Sequence, residues 1–190
     1  MKTRTKVVII NGAPMSGKDT FANLAQSYCN NDESANVLNL SSVEQIKEAL
    51  ERFGWDGNKT ENIRDIIAGI KKIWVDAQNG PTAYMINSIL EWHKSHIGED
   101  NIVFCHIREP WEIDKLVNVL SGMDVIGIDV TTLLIVRDIE QVDTKYSRDS
   151  DNPDIITDYH YEHIIYNYYD LARYDEIVCN FVDMLLEEED

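Results

Sequence analysis

Gly12-Ala13-Pro14-Met15-Ser16-Gly17-Lys18-Asp19-Thr20 stands between a short apolar run, Val7-Val8-Ile9-Ile10, and a stretch with apolar residues at Phe21, Leu24, Ala25 and Tyr28. The β-branched run reads as a buried strand, and the three- and four-residue spacing after it as a helix. Two glycines with a lysine after the second, at a strand-to-helix junction, are the setting of a phosphate-binding loop. Gly12 and Gly17 let the backbone turn tightly and bring successive N–H groups toward phosphate oxygens. The helix N-terminus adds the positive end of its dipole, and Lys18 a mobile charge for the β- and γ-phosphates. Residues 12–20 as a whole are the expected nucleotide contact, with Thr20 at the α-phosphate.

Asp19 stands where a Ser or Thr usually follows the lysine. A hydroxyl there touches Mg²⁺, whereas a carboxylate can ligate the metal or hold one of its waters. The other reading of Asp19 is a first-turn partner of the helix dipole.

Outward from the loop, strands and helices alternate. Val37, Leu38 and Leu40 predict a second strand, and Ser41-Ser42-Val43-Glu44 has the residue types of a capping box opening a helix through about Phe53. Asn30–Ser34 reads as a polar break before that strand, and Gly54–Asn58 as a turn cluster. Helical periodicity resumes from Ile63 to Trp74, breaks at Asn79-Gly80-Pro81, and returns through about His96. Ile102–Ile107, Thr131–Val136 and Glu162–Asn167 predict three more strands; Pro110–Leu120 and Leu171–Leu186 predict helices. Residues 138–160 are charged, without apolar periodicity, and read as an irregular segment. The expected fold is α/β, a three-layer architecture with a five-stranded parallel sheet flanked by helices, in a single domain over 1–190.

Composition narrows the partners. The 190-residue chain has a net charge of −17, and residues 138–190 alone hold 3 basic and 16 acidic residues. An extended polyanion such as a nucleic acid, or an anionic membrane, would be repelled. A small anion in a local positive site would not, and Lys18 lies in the one net-positive stretch, residues 1–30. Cys29, Cys105 and Cys179 are too few and too scattered for a disulfide framework. No run approaches the length of a membrane span or a signal peptide, so the expectation is a cytoplasmic protein.

Ser16-Gly17-Lys18-Asp19-Thr20 resembles the phosphate loop of phage-type deoxynucleoside monophosphate kinases and, more distantly, of animal phosphomevalonate kinases. Both belong to the nucleoside-monophosphate-kinase group of P-loop folds. Ile102-Val-Phe-Cys-His-Ile-Arg108-Glu-Pro-Trp-Glu112 looks like the group's third strand, which ends in Asp-Val-Arg and is followed by a Glu on the next helix. Ile165-Tyr166-Asn167 resembles its final strand. His106 stands where that pattern has Asp, which puts part of the metal shell in doubt; the other reading is a buried core histidine. The resemblance implies an ATP- and Mg²⁺-dependent kinase acting on a (deoxy)nucleoside monophosphate. It also implies an acceptor-binding helical region at 41–97 and a lid at 138–160.

Phosphoryl transfer needs positive charge around the moving group. Arg108, at the end of a central strand, is the candidate contact to acceptor or donor phosphate, or else pairs with Glu112. Arg137 and Arg148 are the candidate lid arginines, with Lys145 beside them; the alternative is ordinary surface charge. Lys47, which matches a lysine of the family, and Arg64 are the candidate acceptor-phosphate residues, while Lys71-Lys72 reads as solvated helix surface. Trp55 could stack on a base or belong to the core. The tyrosines from Tyr159 to Tyr174 suggest packing or a homodimer contact, and His160 and His163 lack the companions of a zinc site. Two other readings stand beside the monophosphate kinase: a kinase for another small acceptor or modified base, and a non-catalytic nucleotide-binding regulator.

Overall fold

A computed structural model describes residues 4–58, 60–78, 80–123, 125–137, 156, 158–168 and 170–187. The elements in chain order are β1 (Arg4–Asn11), α1 (Lys18–Asp32), β2 (Asn36–Ser41), α2 (Glu44–Arg52), α3 (Glu61–Gln78), α4 (Gly80–Ser95) and β3 (Asp100–His106). They continue as α5 (Pro110–Gly122), β4 (Ile128–Val136), β5 (His163–Tyr166) and α6 (Leu171–Leu186). The five strands pair in parallel in the order β2-β3-β1-β4-β5.

Both faces of the sheet are covered, which is why its central strands read as continuous apolar runs rather than alternating ones. Along β1 the side chains divide by parity. Val8 and Ile10 join Phe21, Phe104, Ile135, Val178 and Phe181 under α1 and α6. Val7 and Ile9 join Met85, Ile89, Cys105, Ile113 and Leu116 under α4 and α5. Phe21 anchors the first layer, meeting Phe104, Tyr174 and Phe181 edge-on at 5.6–6.0 Å. Truncating such a buried ring to alanine costs about 3–5 kcal/mol.

Two local expectations are corrected. The helix α1 does not stop at Asn30 but runs to Asp32. Glu33 then adopts the left-handed conformation (φ 50°) and gives its N–H to the Cys29 carbonyl, closing the helix without a glycine. The capping box before α2 does not form, because Ser41 is still in β2 opposite His106; Val43 is the cap residue and has no side-chain bond. The break expected at 79–81 falls where α3 ends at Gln78 and α4 begins at Gly80. Gly80 sits against the Trp74 indole with no room for a Cβ, and Pro81 occupies the first turn of α4, where it costs no hydrogen bond. The region expected at 41–97 is thus an excursion of three helices, α2 to α4, between β2 and β3.

The lid expected at 138–160, with Lys145 and Arg148, lies almost wholly outside the described residues, as does Tyr169. Among the described residues no helix is long and apolar enough to cross a membrane.

Candidate functional site

β1 delivers the chain to the centre of the sheet's C-terminal edge, the place where open α/β sheets bind ligands. Gly12 has φ 149°, and a Cβ on it would press on the Ile135 carbonyl and the Ser16 hydroxyl. Gly17 is left-handed (φ 101°), and a Cβ there would meet the Asn167 amide. Met15, at φ 65° and 74% exposed, is the outermost point of the loop. Ser16 donates its N–H to the Ala13 carbonyl over 3.1 Å, and its buried hydroxyl has no described partner.

Lys18 folds back over this loop, donating from Nζ to the Gly12 and Ala13 carbonyls, the latter at 2.9 Å. Gly17 caps α1 without a side chain on the helix N–H groups, so the positive end of the helix dipole faces the loop. Asp19 and Thr20 are exposed in that first turn. Glycines that admit no Cβ, open helix N–H groups and a lysine over the loop together fit a bound phosphate chain.

The frame around the loop comes from remote residues. Asn11, buried at the end of β1, accepts the Gly12 N–H at 2.7 Å and donates to the Arg108 carbonyl at 3.0 Å and to Tyr161 Oη at 2.7 Å. Burial raises the Tyr161 hydroxyl to about 12, so it stays a neutral hydrogen-bond partner. Asn167 donates to the Ser16 carbonyl at 3.0 Å, and the Tyr174 hydroxyl donates to the Gly17 carbonyl at 3.2 Å. The sequence pattern marks none of Asn11, Tyr161 and Tyr174 for this role; Asn167 carries a signal, as the end of the final strand.

Two different flanks result. On the β4–β5 side, Arg137 donates from Nη1 to the Met15 carbonyl at 3.1 Å, and a groove of about 340 Å³ is lined by Val136, Arg137, Tyr166, Asn167 and Tyr168. Tyr166 and Tyr168 stack at 6.1 Å there, with the Arg173 guanidinium 5.4 Å from the Tyr168 ring. On the β3 side stand His106, Arg108 and Lys47. His106 Nδ1 lies 3.8 Å from Asp19 Oδ1. Burial, helped by Lys18 and Lys47 and opposed by Asp19 and Glu44, lowers the His106 imidazole to about 4, so it is neutral at pH 7. Lys47 pairs with Glu44 at 3.2 Å, and Arg108 is exposed at the strand end. Arg64 is exposed in the first turn of α3.

Two readings from the sequence do not hold. Lys71 is not solvated surface: it is buried, with Nζ 2.5 Å from Glu109 Oε2 and 2.6 Å from Glu112 Oε2. Glu112 therefore pairs with Lys71 rather than with Arg108. Lys72 is the exposed member, bonded to Asp76 at 2.7 Å. Trp55 gives its indole N–H to the Asn58 carbonyl of its own turn. His163 packs edge-on against Phe181, and no metal-binding group of three or more His, Cys, Asp or Glu occurs among the described residues.

For Mg²⁺, Asp19 offers a carboxylate in the turn after the loop among the described residues, its side chain 84% exposed. One carboxylate together with phosphate oxygens and waters suits this ion, which seldom takes an all-protein cage. The residues therefore fit a Mg²⁺ that arrives with a nucleotide.

No family model matches the chain, and no curated protein sequence matches it. Solved structures do. An APS kinase from Mycobacterium tuberculosis is similar over 97% of this chain and 99% of its own, with a TM-score of 0.52 and 16% identity. A thymidylate kinase from Ehrlichia chaffeensis is similar over 95% and 99%, with a TM-score of 0.49 and 17% identity. At such identity the likeness to the first of these speaks for the fold alone, a five-stranded parallel sheet flanked by helices.

Proposed function

We propose that the protein is an ATP-dependent phosphotransferase that moves the γ-phosphoryl group onto the phosphate of a (deoxy)nucleoside monophosphate. The observation that carries this reading is the loop's two unlike flanks. An aromatic and guanidinium groove on the β4–β5 side suits a donor base, while Lys47 and Arg108 on the β3 side suit an acceptor phosphate.

In this reading the open N–H groups at the start of α1, residues 17–20, and the Lys18 ammonium hold the donor phosphates, on a loop framed by residues 12–16. Lys18 exchanges its bonds to the Gly12 and Ala13 carbonyls for phosphate oxygens. Arg137, tied to Met15, holds charge beside the loop, and Arg148 is proposed to join it from the segment at 138–160. Mg²⁺, when bound, neutralises donor phosphate charge and polarises the transferred group, with Asp19 as its protein-side carboxylate. Arg108 and Lys47 orient the acceptor phosphate, and Arg64 lies on the same helical excursion. A monophosphate is already an anionic nucleophile, so no general base is required. A neutral His106 adds no repulsion against it.

The test is ADP release with ATP, Mg²⁺ and a panel of nucleoside and deoxynucleoside monophosphates. At least one acceptor should accelerate release, and Lys18→Ala should abolish it. Acceleration only by other small phosphates would reassign the acceptor. A second reading, a nucleotide-binding regulator, is favoured by the neutral His106 in place of the family's Asp. It requires ATP binding with no acceptor-dependent release.

A further inference from the structure

Lys71 comes from the middle of α3, while Glu109 and Glu112 come from the turn after β3 and the first turn of α5. The ammonium bridges both carboxylates, Glu112 is 2% exposed, and its second oxygen, Oε1, has no described hydrogen-bond partner. Burying one cation against two carboxylates is an expensive way to gain stability, since packed apolar side chains usually do as well. What a chelated ammonium supplies instead is register. Helix faces that pack apolar surface can slide, whereas a lysine held by two fixed oxygens cannot follow.

The register concerned is that of the proposed acceptor site. The helices α2 to α4 form the excursion that would hold the acceptor, and Glu109 is the residue after Arg108. We propose that Lys71, Glu109 and Glu112 are positioning residues that clamp α3, and the acceptor region with it, to the turn carrying Arg108. This rests on the acceptor reading given above.

The two carboxylates are unequal partners. Glu109 is the more open, its side chain 25% exposed, and Glu112 is nearly sealed at 2%. Burial works against the Glu109 charge, but Lys71 holds it below the ordinary carboxylate range. Burial lifts Glu112 to about 7. Glu109 is thus the carboxylate whose charge Lys71 chiefly holds, while Glu112, titrating near neutrality, contributes its 2.6 Å hydrogen bond, which an amide oxygen can also accept.

Steady-state kinetics of the full chain with its best acceptor, and hydrogen exchange of the same proteins, test the clamp. Lys71→Met and Glu109→Gln should each raise the acceptor KM about tenfold or more while leaving the ATP KM within about twofold. Glu112→Gln should stay near wild type. Amides of α3 should exchange faster in the first two variants, with α1 and α6 unchanged. An unchanged acceptor KM in Lys71→Met, or equal damage to both KM values, overturns the clamp. So does a Glu112→Gln as impaired as Glu109→Gln. If Lys71→Met does not fold, Glu109→Gln, at the more open position, carries the same test. A wild type that transfers to no acceptor sinks the functional reading instead, and exchange alone then judges the clamp: unaltered α3 protection in Glu109→Gln overturns it.

Discussion

Asn11 Nδ2 donates to the Arg108 carbonyl over 3.0 Å, joining the end of β1 to the end of β3 across 97 residues of sequence. The same side chain accepts the Gly12 N–H and donates to Tyr161 Oη. One buried amide thus fixes the phosphate loop, the turn of the candidate acceptor arginine and the chain arriving at β5. It uses both donors and its acceptor, the arrangement in which a buried polar group repays its desolvation.

Removing that amide should therefore cost more than an average surface change. Asn11→Ala leaves the Gly12 N–H and two other groups short of a partner, and urea unfolding should show a loss of about 1–3 kcal/mol. Asn11→Asp is expected to be worse. It keeps the acceptor for Gly12 but turns an oxygen toward the Arg108 carbonyl and buries a charge. An Asp variant as stable as wild type would contradict the network.

Gly12 and Gly17 should differ in tolerance. Alanine at Gly17 forces a left-handed backbone and displaces the Asn167 amide, which can swing aside. Alanine at Gly12 runs into the Ile135 backbone carbonyl, which cannot move without bending β4. Thermal unfolding should put Gly17→Ala at about 1–3 kcal/mol and Gly12→Ala at about 3–5 kcal/mol. The reverse order would mean that strain, not space, dominates.

Legibility in the sequence followed distance along the chain. Residues 12–20 and the helix Leu171–Leu186 were readable because their signals, loop spacing and helical period, are contained in a few turns. Lys71 reads as surface because it sits beside Lys72 on one helix, and its two partners lie 38 and 41 residues away. Tyr161 looked like one of a crowd of tyrosines, and only the fold brings it to Asn11 from 150 residues off. Ser41–Glu44 had the letters of a capping box, yet pairing in β2 held Ser41 out of the helix. Local conformation is legible in the sequence; partners made by the sheet order are not.

The cluster at Glu112 should leave a mark on stability against pH. Burial raises this carboxyl from 4.5 to about 7, with Lys71 opposing and Glu109 assisting. Between those values the native state holds a proton that the unfolded chain has released. Its contribution is fully present below 4.5 and is lost as pH rises through 7. Glu109, held low, acts in the opposite sense and only in acid. From pH 5 to pH 8 this carboxyl should therefore contribute a fall in stability, read from the melting temperature, of at most about 3 kcal/mol, offset over the same range by His106, whose burial as a neutral imidazole stabilises the protein as pH rises. Glu112→Gln should flatten that fall, and an identical slope in the variant would refute the assignment.

Asp19 and the overall charge bear on which form of nucleotide binds. The chain carries −17, and Asp19 places a carboxylate 84% exposed directly after the loop lysine. Metal-free ATP would meet that carboxylate as a like charge, whereas Mg²⁺ between them turns repulsion into a bridge. Calorimetric titration should show ATP binding more tightly with Mg²⁺ than without. Asp19→Ser should shrink the ratio by about fivefold, equivalent to roughly 1 kcal/mol for an exposed charge. The change should come mainly from better binding of metal-free ATP and weaken with added salt. An unchanged ratio would leave Asp19 as a partner of the α1 dipole alone.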